Sequence, residues 1–156
     1  LKLIVLFIGI SNNFSNLQFR SKLKEYLVKN DDNKFKTFVS MKIYLLEEKN
    51  NKYNVYAFVK EGRYYLEGSN VIGDGSSAIP YKFMVLKDDN GYYVSNFKVS
   101  RRGSYYDENM KNIFPKSVRD EFNKIYYDGT SEKLEKELME QVNLYFHKYD
   151  HFKITN

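Results

Sequence analysis

Residues 81–99 read Tyr-Lys-Phe-Met-Val-Leu-Lys, then Asp-Asp-Asn-Gly, then Tyr-Tyr-Val-Ser-Asn-Phe-Lys-Val. Two runs rich in β-branched and aromatic residues around an Asn-Gly pair are the strongest short-range hairpin signal. Both turn residues accept the positive φ that a tight turn demands. Upstream, Tyr53-Asn54-Val55-Tyr56-Ala57-Phe58-Val59 has the same character, with imperfect alternation. Residues 53–99 therefore predict strand, turn, strand, turn, strand, and the rest of the chain is expected to cover one face of that sheet.

Composition supports a β-rich core. Fifteen Tyr, twelve Phe and no Trp make 17% of the 156 residues aromatic. Such side chains suit half-buried pleated surfaces, and an aromatic rim could also serve a ligand. The length fits one domain, 1–156. The formal net charge is +5, yet Lys alternates with Asp and Glu along most of the chain, as in 132–137. That pattern reads as a solvated surface and argues against nucleic acid as a partner. The one tight basic cluster is Lys98 with Arg101 and Arg102. With no cysteine, disulfides, thiolate catalysis and cysteine-based zinc sites are excluded.

Residues 3–10 form an apolar run after Lys2, far short of the about 20 residues that a membrane span needs. Two readings stand for 1–13: a leader or membrane-proximal remnant, or a packed first strand or helical turn. No small-x-small cleavage site follows; Ser11-Asn12-Asn13 comes next. Residues 14–29 predict a helix with Phe19, Leu23, Tyr26 and Leu27 on one face. Strands are expected at 35–47 and 53–67, joined through a polar connection, with Gly62 marking a bend or bulge. Residues 69–77 read as a Gly-rich mobile loop, and Pro80 suits the start of the next strand, 79–87. The fourth strand is 92–99.

Downstream, Asp107 or Asn109 could cap a short helix ending at Phe114-Pro115. Further helices are expected at 116–127 and 131–149. The first would bury Val118, Phe122, Ile125 and Tyr126, and Asp128-Gly129 would end it. The second would have Ser131 as its cap and Leu134, Leu138, Val142, Tyr145 and Tyr149 as its stripe. The fold class is α+β: a four-stranded antiparallel meander with an N-terminal helix and C-terminal helices. A cystatin-like or nuclear-transport-factor-like cone would fit by analogy.

Motifs for chemistry are sparse. His147 and His151, four apart, could share a helix face, but Lys148 stands where a metalloprotease needs Glu, so no metal site is assigned. The Gly73-Asp74-Gly75 stretch lacks both the Lys-Ser/Thr of a phosphate loop and the acid ladder of a calcium loop. There is no nucleophile elbow and no nucleotide fingerprint, so neither catalytic residues nor a cofactor are assigned. The best polar cluster is Arg101, Arg102, Tyr105, Tyr106 and Asp107, read as capping and salt bridging, or else as a binding patch.

The segments Tyr64-Tyr65-Leu66-Glu67-Gly68, Ser77-Ala78-Ile79-Pro80-Tyr81, Arg102-Gly103-Ser104-Tyr105-Tyr106 and Ile113-Phe114-Pro115 carry a resemblance. Over residues 14–127 the chain resembles the extracytoplasmic C-terminal domain of beta-lactam-sensor-like antirepressor metallopeptidases of Gram-positive bacteria and related stand-alone exported proteins. The peptidase residues of that family lie in a part this chain does not contain. The resemblance implies an extracytoplasmic, exported or membrane-associated location and a sensory role. The expected function is non-enzymatic binding of a small ligand or of a membrane or cell-envelope protein. Tyr64, Tyr65, Asp74, Arg101, Arg102, Tyr105 and Tyr106 are the binding candidates. A small enzyme with a buried acid or base in a cone-shaped pocket, or a basic cytoplasmic binding protein, is the alternative.

Overall fold

The computed structural model describes the backbone of residues 4–6, 14–147 and 153–155, and the side chains of 17–147. The elements run β1 (Ile4–Leu6), α1 (Phe14–Val28), β2 (Phe35–Lys49), β3 (Lys52–Glu67), β4 (Asn70–Asp88) and β5 (Gly91–Val99). Then follow α2 (Tyr106–Ile113), α3 (Lys116–Phe122), α4 (Thr130–Phe146) and β6 (Lys153–Thr155). Strands β2 to β5 form the expected antiparallel meander, with β1 added beside β2. β6 adds in parallel to the start of β4. The fold is α+β.

The sheet is covered on both faces, not on one. Val39, Met41 and Ile43 of β2 lie with Val55, Ala57 and Val59 of β3 and Tyr81, Phe83 and Val85 of β4 beneath Phe19 and Leu23 of α1. The intervening residues face the other way. Tyr44, Leu45, Tyr56 and Phe58 pack on Met110, Phe114, Val118, Phe122, Ile125 and Leu134. Phe38 and Tyr64 pack on Leu138, Val142 and Phe146 of α4. Side chains alternate across a strand, so a strand apolar at both parities must be covered twice. The imperfect alternation of 53–59 is that signature. At about 1.5–3 kcal/mol for each large side chain buried, the double coverage is the main source of stability.

Two bulges adjust which face each residue meets. Tyr44 is the extra residue between Ile43↔Ala57 and Leu45↔Tyr56, so Tyr44 and Leu45 both join the α2–α4 side while Leu46 returns to the α1 side. Ser95 is extra between Met84↔Asn96 and Val85↔Val94. Its shift lets Tyr92 and Val94 share a face with Val99. A bulge displaces the alternation by one residue.

Three turns differ from expectation. The β2–β3 turn is Asn50-Asn51, both at positive φ (53° and 59°), a two-residue hairpin of the primed type that Asn tolerates. In the β4–β5 turn, Asp88 pairs with Gly91 and only Gly91 takes positive φ, 110°. Asn90 is held by its backbone N–H donating to Asp88 Oδ1 at 2.8 Å. Residues 69–77 are not a loop. The turn is Gly68-Ser69, and β4 begins at Asn70. Asp74 and Gly75 fall in the irregularity opposite Arg63, where the register shifts between Gly62 and Tyr64. Glycine there marks a bulge in the ladder rather than its end. Pro80 sits inside β4, beyond the reach of β5, which starts its pairing at Tyr81. Its missing N–H therefore costs no ladder bond.

The helices also differ in detail. α3 stops at Phe122, and residues 124–128 continue in tight turns, with Ile125 N–H donating to Phe122 O and Tyr127 N–H to Lys124 O. That rotation leaves Tyr126 exposed rather than buried. No side chain caps α2, and Asp107 lies within its first turn. Asp128, not Ser131, serves the start of α4: its Oδ1 accepts the Thr130 N–H at 2.9 Å. The buried stripe of α4 is Leu134, Leu138, Val142 and Phe146, while Tyr145 is half-buried. Tyr149 and His151 lie outside the described residues.

Phe114 is 2% exposed and meets Tyr56 and Phe122 edge-on. Phe114→Ala should cost about 3–5 kcal/mol in urea unfolding. A Cβ on Gly62 would stand 2.8 Å from Tyr64 Cε2 and 3.1 Å from Leu138 Cδ2. Gly62→Ala should cost about 1–3 kcal/mol by overpacking. A neutral result for either would mean that α2–α4 do not rest on the sheet as described.

Candidate functional site

A concavity that carries charge lies where β5 turns into α2. The end of β5 is tied to the helix by the buried Ser100 hydroxyl, which donates to Tyr106 O at 3.2 Å. The turn closes with Tyr106 N–H donating to Gly103 O at 3.1 Å. Gly103 has φ +155°, a conformation that residues with a side chain rarely adopt. The result is a depression of about 430 Å³ lined by Arg102, Gly103, Ser104, Tyr106 and Asp107. Tyr105 beside it is 71% exposed. Burial raises the Tyr106 hydroxyl pKa and the nearby Arg102 lowers it; Tyr126 is close enough to add a smaller upward push. Tyr126 and Tyr127 are 55% and 89% exposed. Both lie in the turns after α3, where a longer helix was expected, and Tyr126 meets Phe58 edge-on at 6.5 Å.

The other expected binding residues are dispersed. Arg101 acts electrostatically on Tyr81, a residue of the α1 side of the sheet. Tyr64 is a correction: it is 7% exposed beneath α4, with its hydroxyl 3.4 Å from Met139 Sδ, and offers no surface. Its even position on β3 sends it to the same side as Tyr56 and Phe58. Tyr65 stacks edge-on with Phe35 at the far end of the sheet, with Lys34 over both rings. Asp74 lies 3.7 Å from Arg63, which also approaches Asp32 at 3.9 Å and sits over the Phe35 ring. Six residues of β4 lie between Asp74 and Tyr81, a separation of roughly 20 Å, so these residues cannot join the Arg102 depression.

A second depression, about 370 Å³, lies at the β2–β3 turn and includes Glu47, Lys52, Asn54, Met84 and Leu86. Tyr56 donates to Glu47 Oε2 at 3.0 Å beside it. His147 is exposed and its Nδ1 lies against Leu144 O. Among the described residues, no three His, Asp or Glu side chains gather as a metal ion would require. No helix among them is long and apolar enough to cross a membrane.

The strongest proton-affinity shifts belong to buried phenols. Tyr53, Tyr56 and Tyr81 are pushed well up by burial and by Glu48, Glu47 and Glu61, to which they donate at 3.0, 3.0 and 2.7 Å. Tyr44 is pushed up to about 12 by burial, and its buried hydroxyl makes no well-formed hydrogen bond. A phenol so held stays protonated near neutrality and can donate a hydrogen bond. Comparison of the chain with protein-family models, curated proteins and solved structures gives no significant match.

Tyr44→Phe should be neutral or stabilising, because it removes a buried hydroxyl whose approach to Thr130 is too poor to form a good hydrogen bond, whereas Tyr81→Phe should cost about 1 kcal/mol through its lost bond to Glu61. The raised Tyr44 pKa means that folding favours the protonated form. Its contribution is complete below about pH 10 and is lost as pH rises through about 12. Urea midpoints measured across that range should fall less steeply in Tyr44→Phe than in the parent.

Proposed function

We propose that this domain is a non-catalytic binding module acting outside the cytoplasmic membrane, where it engages a cell-envelope partner through the Arg102 depression and its tyrosine rim. The observation that carries the reading is the grouping of Arg102, Tyr106 and Asp107 around one open depression, with exposed Tyr105 next to them in the same turn. Tyr and Arg are the residues over-represented where proteins recognise partners, because they combine large contact area with directed hydrogen bonds. The rigid support is also suitable: Ser100, Phe114 and Phe122 hold the turn on the sheet without touching solvent. The extracytoplasmic location follows from the sequence resemblance carried by Arg102-Gly103-Ser104-Tyr105-Tyr106 and Ile113-Phe114-Pro115.

A photo-reactive benzoylphenylalanine in place of Tyr105 should cross-link to a discrete envelope protein in native cells. The same group at exposed Leu144 should not. Adding Arg102→Ala should reduce the cross-link several-fold while changing stability by less than about 0.5 kcal/mol. Fractionation should place the protein outside the cytoplasm. Equal cross-linking from both positions, or a cytoplasmic location, would sink the reading.

A further inference from the structure

β5 is the outer strand of the sheet, and among the described residues nothing pairs with its far side. The opposite edge is treated differently. On β2, Arg20 of α1 donates to Met41 O at 2.6 Å and Gln141 of α4 donates to Val39 O at 3.0 Å, while β1 pairs with residues 46–48. Among the described residues, no side chain bonds the backbone of β5 in this way. The Ser95 hydroxyl donates to Met84 O at 3.0 Å, inward to β4. A row of backbone N–H and C=O groups is therefore left as a template for one more strand.

The chemistry of that strand can be read from charge. Lys98 stands directly opposite Lys82, and like charges so placed repel. Neither forms an ion pair among the described residues; Lys82 instead lies over the Tyr56 ring at 5.5 Å. Residues 91–106 hold Lys98, Arg101 and Arg102 and no acid. The bulge at Ser95 sends half-exposed Tyr93 and Phe97 to opposite faces, so an incoming strand would find an aromatic neighbour on each. A second copy of β5 would add cations to cations. A nucleic acid could meet the lysines but could not complete the ladder.

We propose that β5 is the docking edge for an acidic, extended segment of another polypeptide, which adds as a further strand with its carboxylates beside Lys98. This rests on the binding-module reading but not on the Arg102 depression. The probe is a fluorescein-labelled nonapeptide of alternating Val and Glu, measured by polarisation at low salt. Three results are expected: binding, loss of about tenfold in affinity with Lys98→Glu, and slowed amide exchange confined to residues 91–99. The same peptide N-methylated at alternate residues keeps its charge but cannot donate to the ladder, and it should not bind.

The proposal is overturned by no binding at about 1 mM peptide, by equal binding of the methylated peptide, or by affinity unchanged in Lys98→Glu. Equal competition by oligo-thymidylate would also overturn it, in favour of a general polyanion site. Peptide binding without a cross-link from position 105 would keep the edge and remove the depression. The reverse would keep the depression and remove the edge.

Discussion

Everything in this molecule depends on β3 being apolar at both parities. Val55, Ala57 and Val59 are wholly buried on one face, while Tyr56 and Phe58 are buried on the other. A single helical layer would leave one of these sets in water. The chain therefore divides its helices, sending α1 to one side and α2, α3 and α4 to the other. The site follows from that division. The connection from β5 must climb from the sheet onto the second layer, and the climb is the turn at Ser100 to Tyr106. Its glycine and its buried serine are requirements of the route.

Much of this was legible. The three strands of residues 53–99 and the helix beginning at Phe14 follow from composition and period, and so do the short helix ending before Pro115 and the Leu134–Leu138–Val142 stripe. What was not legible has physical causes. A bulge leaves no reliable mark in a single sequence, so the shifts at Tyr44 and Ser95 were invisible, and with them the faces of their neighbours. Gly73-Asp74-Gly75 looks like a loop because glycine is poor at holding a strand. Here the long partner β3 holds it. The depression was legible in Arg102, Tyr106 and Asp107, which were singled out together, whereas the turns that expose Tyr126 and Tyr127 after Phe122 were read as a longer helix. Tyr64 shares the parity of Tyr56 and Phe58 but was mistaken for a surface residue, because nothing local shows that α4 reaches that end of the sheet to cover it.

The electrostatics are mostly local. The ion pairs of the helices, such as Lys116 with Asp120 at 2.7 Å and Lys124 with Glu121 at 2.8 Å, join exposed side chains and add little to stability. The hydrogen-bonded Tyr–Glu pairs matter more, because each anchors a phenol at the margin of the core. They fix ring orientations at the aromatic contacts, among them Phe19 with Tyr53 at 5.3 Å and Tyr81 stacked on Phe83 at 5.0 Å.

The clamp on β2 has a consequence for how the chain is made. Gln141 reaches Val39 across 102 residues, and Ser40 donates to Leu134 O across 94. Contacts of such separation are slow to form, because a long loop must close before they contribute. On a ribosome, β2 and β3 could pair while α4 was still unmade. The carbonyls that Gln141 later covers would stay open for the whole of that interval. A nascent chain of this kind is exposed to strand-to-strand association with its neighbours until its last long helix emerges. A pause anywhere between the end of β3 and the completion of α4 would lengthen that interval.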